Sequence, residues 1–168
     1  MAKRRAVTPK LPTLPHGDDS PTKRDVFSAS QRSDIMRRVK STQNKSTELR
    51  LIDEFRSRGL VGWRRNSKLF GRPDFVFPKL RVAVFVDGCF WHGHDCRNTT
   101  PKDHADYWRI KIERNRARDL AATEHLTKLG YTVVRIWECD FKKANRERLD
   151  AKLAPIAAAL KRVRSTEE

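Results

Sequence analysis

The run RVAVFVD at residues 81–87 constrains this chain's fold more than any other feature. It is β-branched and almost continuously apolar, the pattern of a strand buried on both faces and central in its sheet. YTVVRIWE at 131–138 repeats that pattern. A long helical stretch lies between them, from about Lys102 to Leu129, and ends at Gly130. Shorter strands are expected in VGWRR (61–65) and DFVFP (74–78). Upstream, Lys45-Ser46-Thr47-Glu48 opens a helix whose apolar positions are Leu49, Leu51, Ile52 and Phe55, with Gly59 as its stop. A last helix, from about Asn145 to Arg164 within a C-terminal segment 142–168, is interrupted by Pro155. Helices alternating with strands imply an α/β fold whose sheet is covered on both sides.

Residues 1 to about 28 have a different character, holding four of the eight prolines and few large aliphatics before Val26-Phe27. They read as a basic, Pro-rich disordered arm. Residues 29–168 then form a single domain, opened by a short helix over 29–41 that carries Ile35, Met36 and Val39. Across its 168 residues the chain has 37 Lys+Arg against 21 Asp+Glu, a formal charge of +16 and a pI near 10.4. A nucleic-acid partner is the first expectation for such a chain, although membranes and acidic proteins also attract basic surfaces. No run approaches the roughly 18 apolar residues that would span a bilayer. The opening MAKRR is not followed by the apolar core of a secretion signal, so the chain is expected in a reducing cytoplasm. There its three cysteines are thiols or metal ligands rather than bridges.

VDGCFWHGHDC (86–96) concentrates chemistry directly after the central strand. If strands 81–87 and 131–138 are parallel neighbours, their C-terminal ends bring Cys139 to the loop after Cys89. Cys89, His94, Cys96 and Cys139 then make a Cys₃His set, which suits a structural zinc with no open position for water. The alternative is a group of ordinary half-buried thiols beside a surface histidine.

The long helix presents one face of Trp108, Ile112, Asn115, Asp119, Ala122, Leu126 and Leu129, so Asp119 falls on the stripe that packs against the sheet. A carboxylate there requires a partner, whether an arginine, a hydrogen-bond network or a metal. Asp74 opens one strand, and Asp87 ends the next in alternation with Ala83 and Phe85. Glu48 lies in the first turn of its helix, where the dipole alone favours an acid. A strand-borne aspartate pair with a nearby histidine, in a basic protein, is what metal-assisted phosphodiester hydrolysis requires. Carboxylates hold Mg²⁺, and an imidazole takes a proton from water. The Cys₃His set does not need His92, which leaves it available as that base or as a solvent-facing loop residue.

In order along the chain, GRPDFVF, VFVDGCFWHGHDC, YWRIKIERNRARD and YTVVRIWEC resemble the very short patch repair endonucleases over roughly residues 30 to 142. The resemblance implies a restriction-endonuclease-like fold, a central mixed β-sheet flanked by helices and carrying a structural zinc. It also implies Mg²⁺-dependent nicking 5′ to the T of a T·G mismatch left by deamination of 5-methylcytosine. By position, Asp74 and the Val86 carbonyl match the Mg²⁺ ligands, and His92 matches the histidine that activates water. Asp119 matches the acid supporting that histidine, and Glu48 an acid that orders metal-bound water. Cys89, His94, Cys96 and Cys139 match the zinc ligands. The best-known members have histidine where this chain has Asp87; a histidine there could contact phosphate or serve as an acid or base, whereas an aspartate could bind metal, and the role of Asp87 stays open.

Phe90 and Trp91 sit in a polar loop, where aromatics either stack on something flat or turn into a core, and Trp108 could join them. In the family these three positions form a wedge entering the duplex from the major groove, while the helix with Met36 and Val39 enters opposite. Lys3, Arg4, Arg5 and Lys10 are expected either to touch phosphates or to remain a solvated tail. The expected partner is double-stranded DNA with a T·G mismatch, with a mismatch-repair adaptor as a further candidate. The expected form is a monomer in the bacterial cytoplasm, on the nucleoid when DNA is bound. Two alternatives are a restriction-type nuclease of the same fold acting on paired DNA, and a non-catalytic zinc-stabilised DNA-binding module.

Overall fold

Six regular elements carry the described part of the chain: α1 (Glu48–Ser57), β1 (Phe75–Phe77), β2 (Val82–Asp87), α2 (Ala105–Lys128), β3 (Thr132–Trp137) and α3 (Arg146–Glu167). The computed structural model describes residues 47–96 and 105–167, which lie in one compact unit running from Lys40 to Glu168. The expected arm over 1–28 and helix over 29–41, with Met36 and Val39, fall outside the described residues.

Among the described residues the sheet has three strands in the order β1-β2-β3. A tight turn after Pro78 returns β1 antiparallel onto β2, pairing Phe75 with Val84 and Phe77 with Val82. β3 lies parallel to β2, from Val82 opposite Thr132 to Asp87 opposite Trp137. Parallel strands need a long crossover, which α2 provides. The result is the α/β sheet expected from the pattern, mixed as the resemblance implies.

All six residues of β2 are buried, and their alternation divides the core. Val82, Val84 and Val86 face a layer that includes Leu51, Ile52 and Phe55 of α1 and Leu149, Leu153 and Ile156 of α3. Ala83 and Phe85 face Ala122 and Leu126 of α2. Helix α1 ends as expected: Gly59 takes φ +62°, and the Leu60 N–H donates to the Phe55 carbonyl.

Four expectations need correction. VGWRR is not a strand. Arg64 alone bridges Val76, because Gly62 and Asn66 turn into left-handed backbone on either side. β3 is only half-buried, with Ile136 its one fully buried residue, because among the described strands it lies at the sheet edge. Pro155 does not interrupt α3. Its cost of about 3 kcal/mol is offset by burial of Leu149, Leu153 and Ile156 at roughly 1.5–3 kcal/mol each. Leu129 is 46% exposed rather than packed, since α2 ends at Lys128 and Gly130 (φ +78°) turns the chain away.

Gly71 lets the chain pass against α2 just before Asp74. Its φ is +78°, and a Cβ there would lie 2.5 Å from Ala122 Cβ. Gly71→Ala is therefore expected to destabilise the protein by about 2–5 kcal/mol in chemical denaturation, from overpacking and left-handed strain together. Adding Ala122→Gly should recover only the overpacking part.

Candidate functional site

The loop leaving β2 is pinned to α2 through three consecutive carbonyls. Asn115 Nδ2 donates to the Trp91 carbonyl at 2.7 Å, Arg116 Nε to the His92 carbonyl at 3.2 Å, and Arg116 Nη2 to the Gly93 carbonyl. Gly93 is required here, because at φ +62° a Cβ would meet Ile112 Cγ2 at 2.5 Å. With its backbone fixed, His92 donates from Nδ1 to Asp119 Oδ2 at 2.5 Å and points Nε2 at Asp87 Oδ1, 3.5 Å away. Asp119 is half-buried on the helix stripe and turned toward the histidine.

Asp87 is buried at the end of β2 and paired with Arg135 of β3. Arg135 Nη1 also lies 3.5 Å from Asp119 Oδ1. Asp74, one residue before β1, accepts the Val86 N–H at 2.8 Å, so the residue expected to offer a carbonyl to metal also orients the aspartate through its amide. Asp74 is outside the Asp87–His92–Asp119 contact group. Asp87 is the residue common to both, since its charge acts on Asp74 as well as on His92. Glu48 is buried in the first turn of α1 and paired with Arg65, which lies over the Phe75 ring. It is held in the interior and acts electrostatically on Asp74, which is more than the dipole reading requires.

Burial sets the titration of this cluster. It pushes the Asp74 carboxyl up to about 6, the Val86 hydrogen bond opposes, and the charges of Glu48 and Asp87 push the same way. Burial likewise raises Asp87, against the attraction of His92 and Arg135. For His92, burial opposes protonation, but the hydrogen bond to Asp119 and the charges of Asp87 and Asp119 outweigh it and raise the imidazole pKa.

On the far side of the loop, ligand atoms of Cys89, His94, Cys96 and Cys139 all lie within 4.8 Å of one another. Asp140 fixes the turn that presents Cys139. It is fully buried, accepts the Trp137 N–H at 2.9 Å, and pairs with Arg148 at 2.8 Å and Lys152 at 2.5 Å. His94 stacks on Trp137 with ring centroids 4.4 Å apart. Burial and the neighbouring Cys96 and Cys139 thiols drive Cys89 up to about 12, and burial also raises Cys139. Three crowded sulfurs, two of them in thiols that resist ionisation, beside a histidine whose pKa is lowered by burial, are a donor set that a soft cation would stabilise.

Phe90, Trp91 and Trp108 form one cluster, with centroids 5.0–5.8 Å apart, and none of them belongs to either core. Tyr107, 44% exposed, adds a fourth ring 5.3 Å from Trp108. Lys111 Nζ lies 5.5 Å from the Trp91 and Trp108 centroids and 5.6 Å from that of Tyr107.

Comparison with known proteins places the chain in a family. The family model described as "DNA mismatch endonuclease Vsr" matches residues 24–98. The type II nicking enzyme V.NmeAIP of Neisseria meningitidis serogroup A is 36% identical over 140 residues, covering 81% of this chain and 99% of that protein. The DNA mismatch endonuclease Vsr of Escherichia coli K12 is 36% identical over 126 residues, covering 74% of this chain and 79% of that protein. This chain belongs to the Vsr family of DNA mismatch endonucleases. It is an enzyme, a nicking endonuclease, and membership carries the restriction-endonuclease-like fold with which the mixed sheet agrees. The type II nicking enzyme V.XorIIP of Xanthomonas oryzae pv. oryzae is 40% identical over 117 residues, 69% of this chain and 85% of that protein. No helix among the described residues is long and apolar enough to cross a membrane.

Sequence reasoning missed Arg135, Arg65, Arg116 and Tyr107 in this Vsr-family site. The signal for Arg135 was a lone cation inside the strand YTVVRIWE, opposite the apolar run of β2. Arg65 and Arg116 had none, being two among 37 basic residues.

Asp74 supplies a test of the cluster's electrostatics. Its folded pKa is raised above the ordinary value, so its ionisation costs stability as pH rises from about 4 through 6. Asp74→Asn keeps an acceptor for Val86 and removes the charge. In metal-free protein it should raise the melting temperature at pH 7.5, by about 2–4 °C per kcal/mol relieved. The gain should shrink as pH falls through 6 and vanish below 4.

Proposed function

We propose that this Vsr-family endonuclease nicks double-stranded DNA 5′ to the T of a T·G mismatch, by Mg²⁺-dependent hydrolysis. The observation that carries the reading is His92 held between Asp119 and Asp87, with Asp87 near enough to the half-buried Asp74 for its charge to act there.

The residues fit the metal. Asp74 sits in the field of two further carboxylates and has its pKa pushed up, a deficit of positive charge that a hard divalent cation corrects. Asp74 and the Val86 carbonyl would hold the ion, and Glu48 would orient its water. Bound Mg²⁺ neutralises charge on the scissile phosphate and lowers the pKa of water. The protein's own steps follow from His92. Its Nδ1–H is committed to Asp119, so Nε2 is left as the acceptor of a proton from the attacking water. The resulting imidazolium is stabilised by carboxylates at both ring nitrogens.

The Cys89, His94, Cys96 and Cys139 set would hold a structural zinc, tying the loop to the end of β3. Phe90, Trp91 and Trp108 act as a stacking wedge, and Met36 and Val39 are further DNA-contacting residues. Unstacking costs a few kcal/mol per step and is least costly where pairing is weak, which favours a mismatch. The enzyme acts as a monomer in the bacterial cytoplasm, on the nucleoid when bound, with a mismatch-repair adaptor as a further partner.

Paired duplexes differing only in T·G versus C·G test the reading. With Mg²⁺, a nick is expected 5′ to the mismatched T alone, none for Asp74→Ala, and a rate lower by about 10²–10⁴-fold for His92→Ala. Equal cleavage of the C·G duplex would instead indicate a restriction-type nuclease, and no nick at all would overturn the proposal. Trp91→Ala should weaken T·G duplex binding by about 1–3 kcal/mol, roughly 5- to 150-fold in a titration, while matched duplex changes less.

A further inference from the structure

Asp87, His92 and Asp119 bring ligand atoms within 4.8 Å of one another, which by itself is a donor set for a cation. A cation already stands there. A single nitrogen of Arg135, Nη1, pairs with Asp87 Oδ2 and lies 3.5 Å from Asp119 Oδ1. Arg135 is opposite Phe85 in the parallel register, so its side chain shares the face of Ala83, Phe85 and Asp87 that packs toward α2. Its guanidinium lies over the Phe85 ring, 4.7 Å from the centroid, and is anchored to the core. Its other terminal nitrogen, Nη2, is buried without a hydrogen-bond partner. The group is therefore oriented by the two carboxylates and the ring rather than by satisfying its donors.

We infer that Arg135 is a positioning residue whose guanidinium fills the cation place between Asp87 and Asp119. Asp87 thus braces His92 instead of ligating the catalytic metal, which is confined to the side of Asp74 and Val86. The inference deepens the proposed function and rests on its assignment of His92 and Asp74. Without Arg135, a buried aspartate and a half-buried one would face a single imidazole, with Asp74 close enough to feel the charge. Two carboxylates that close either share a proton or gather a cation. A guanidinium built into β3 supplies that cation permanently, whereas a metal would come and go with its concentration. The carboxylate contacts of His92 are then the same with or without divalent metal.

Mn²⁺ binding to the zinc-loaded, full-length protein, followed by electron paramagnetic resonance, tests this without relying on cleavage. Asp87→Asn should bind as many Mn²⁺ ions as wild type, whereas Asp74→Ala should lose one. Arg135→Met should gain an additional Mn²⁺ ion, and Asp87→Asn in the Arg135→Met background should lose it again. T·G nicking by Arg135→Met under saturating enzyme should fall roughly 10²-fold, about the low end of what a positioned base contributes, with Arg135→Lys recovering part of it. Loss of an ion in Asp87→Asn would make Asp87 a ligand and overturn the inference. Wild-type stoichiometry together with wild-type nicking in Arg135→Met would do the same. If Arg135→Met does not fold, Asp87→Asn and Arg135→Lys still decide it. A wild-type protein that fails to nick T·G duplex, with the Mn²⁺ results as expected, would overturn the nicking reading and leave this inference standing.

Discussion

The parallel pairing of β2 with β3 sets Asp87 opposite Trp137, and both chemical centres hang from that register. Past the strand ends, the loop after Asp87 meets the turn after Trp137, so Cys139 reaches Cys89, His94 and Cys96. Two residues earlier, Arg135 lies on the face that Asp87 shares. A one-residue slip would turn Arg135 to the opposite face and detach Cys139 from the loop. β2 resists such a slip because it is buried on both faces, with Val82, Val84 and Val86 matched to one helical layer and Ala83 and Phe85 to the other.

The two centres handle buried charge differently. The Cys/His cluster places Cys89 and Cys139 where burial, the largest cause, raises the pKa of both thiols. The acidic cluster gathers carboxylates and partly compensates them with arginines anchored over core phenylalanines, Arg65 over Phe75 and Arg135 over Phe85. Glu48, Asp87 and Asp119 each contact an arginine. Asp74 instead accepts a backbone amide, and its pKa is raised to about 6. Leaving one acid short of positive charge costs folding stability wherever that acid is ionised.

Helix α2 joins these parts. One face packs Ala122 and Leu126 on the sheet, presents Asp119 to His92 and uses Asn115 and Arg116 to hold the loop carbonyls. Toward its N-terminus the same helix carries Tyr107 and Trp108 into the aromatic cluster with Phe90 and Trp91. The spacing between His92 and the aromatic cluster is therefore set by a rigid helix rather than by the loop alone.

Local order was legible in the residues. Continuous β-branched runs give β2 and β3, the apolar spacing with Gly59 gives α1, and the stripe bearing Asp119 gives α2, because period and end signals act over a few neighbours. The ordered motifs likewise carried family membership and singled out Asp74, Asp87, His92, Asp119 and the Cys/His set. Sequence was a poor guide where distant packing overrides local preference, as in α3 continuing through Pro155, β3 remaining half-buried and VGWRR shrinking to one bridge. The ion pairs of the acidic cluster belong to the tertiary structure. Its place as a lone cation in an apolar strand marks Arg135 as unusual, but nothing nearby names its partners, which lie 48 and 16 positions away. A guanidinium's role depends on which carboxylates the fold brings within about 4 Å of it, and only the assembled sheet with α2 across it brings Asp87 and Asp119 there.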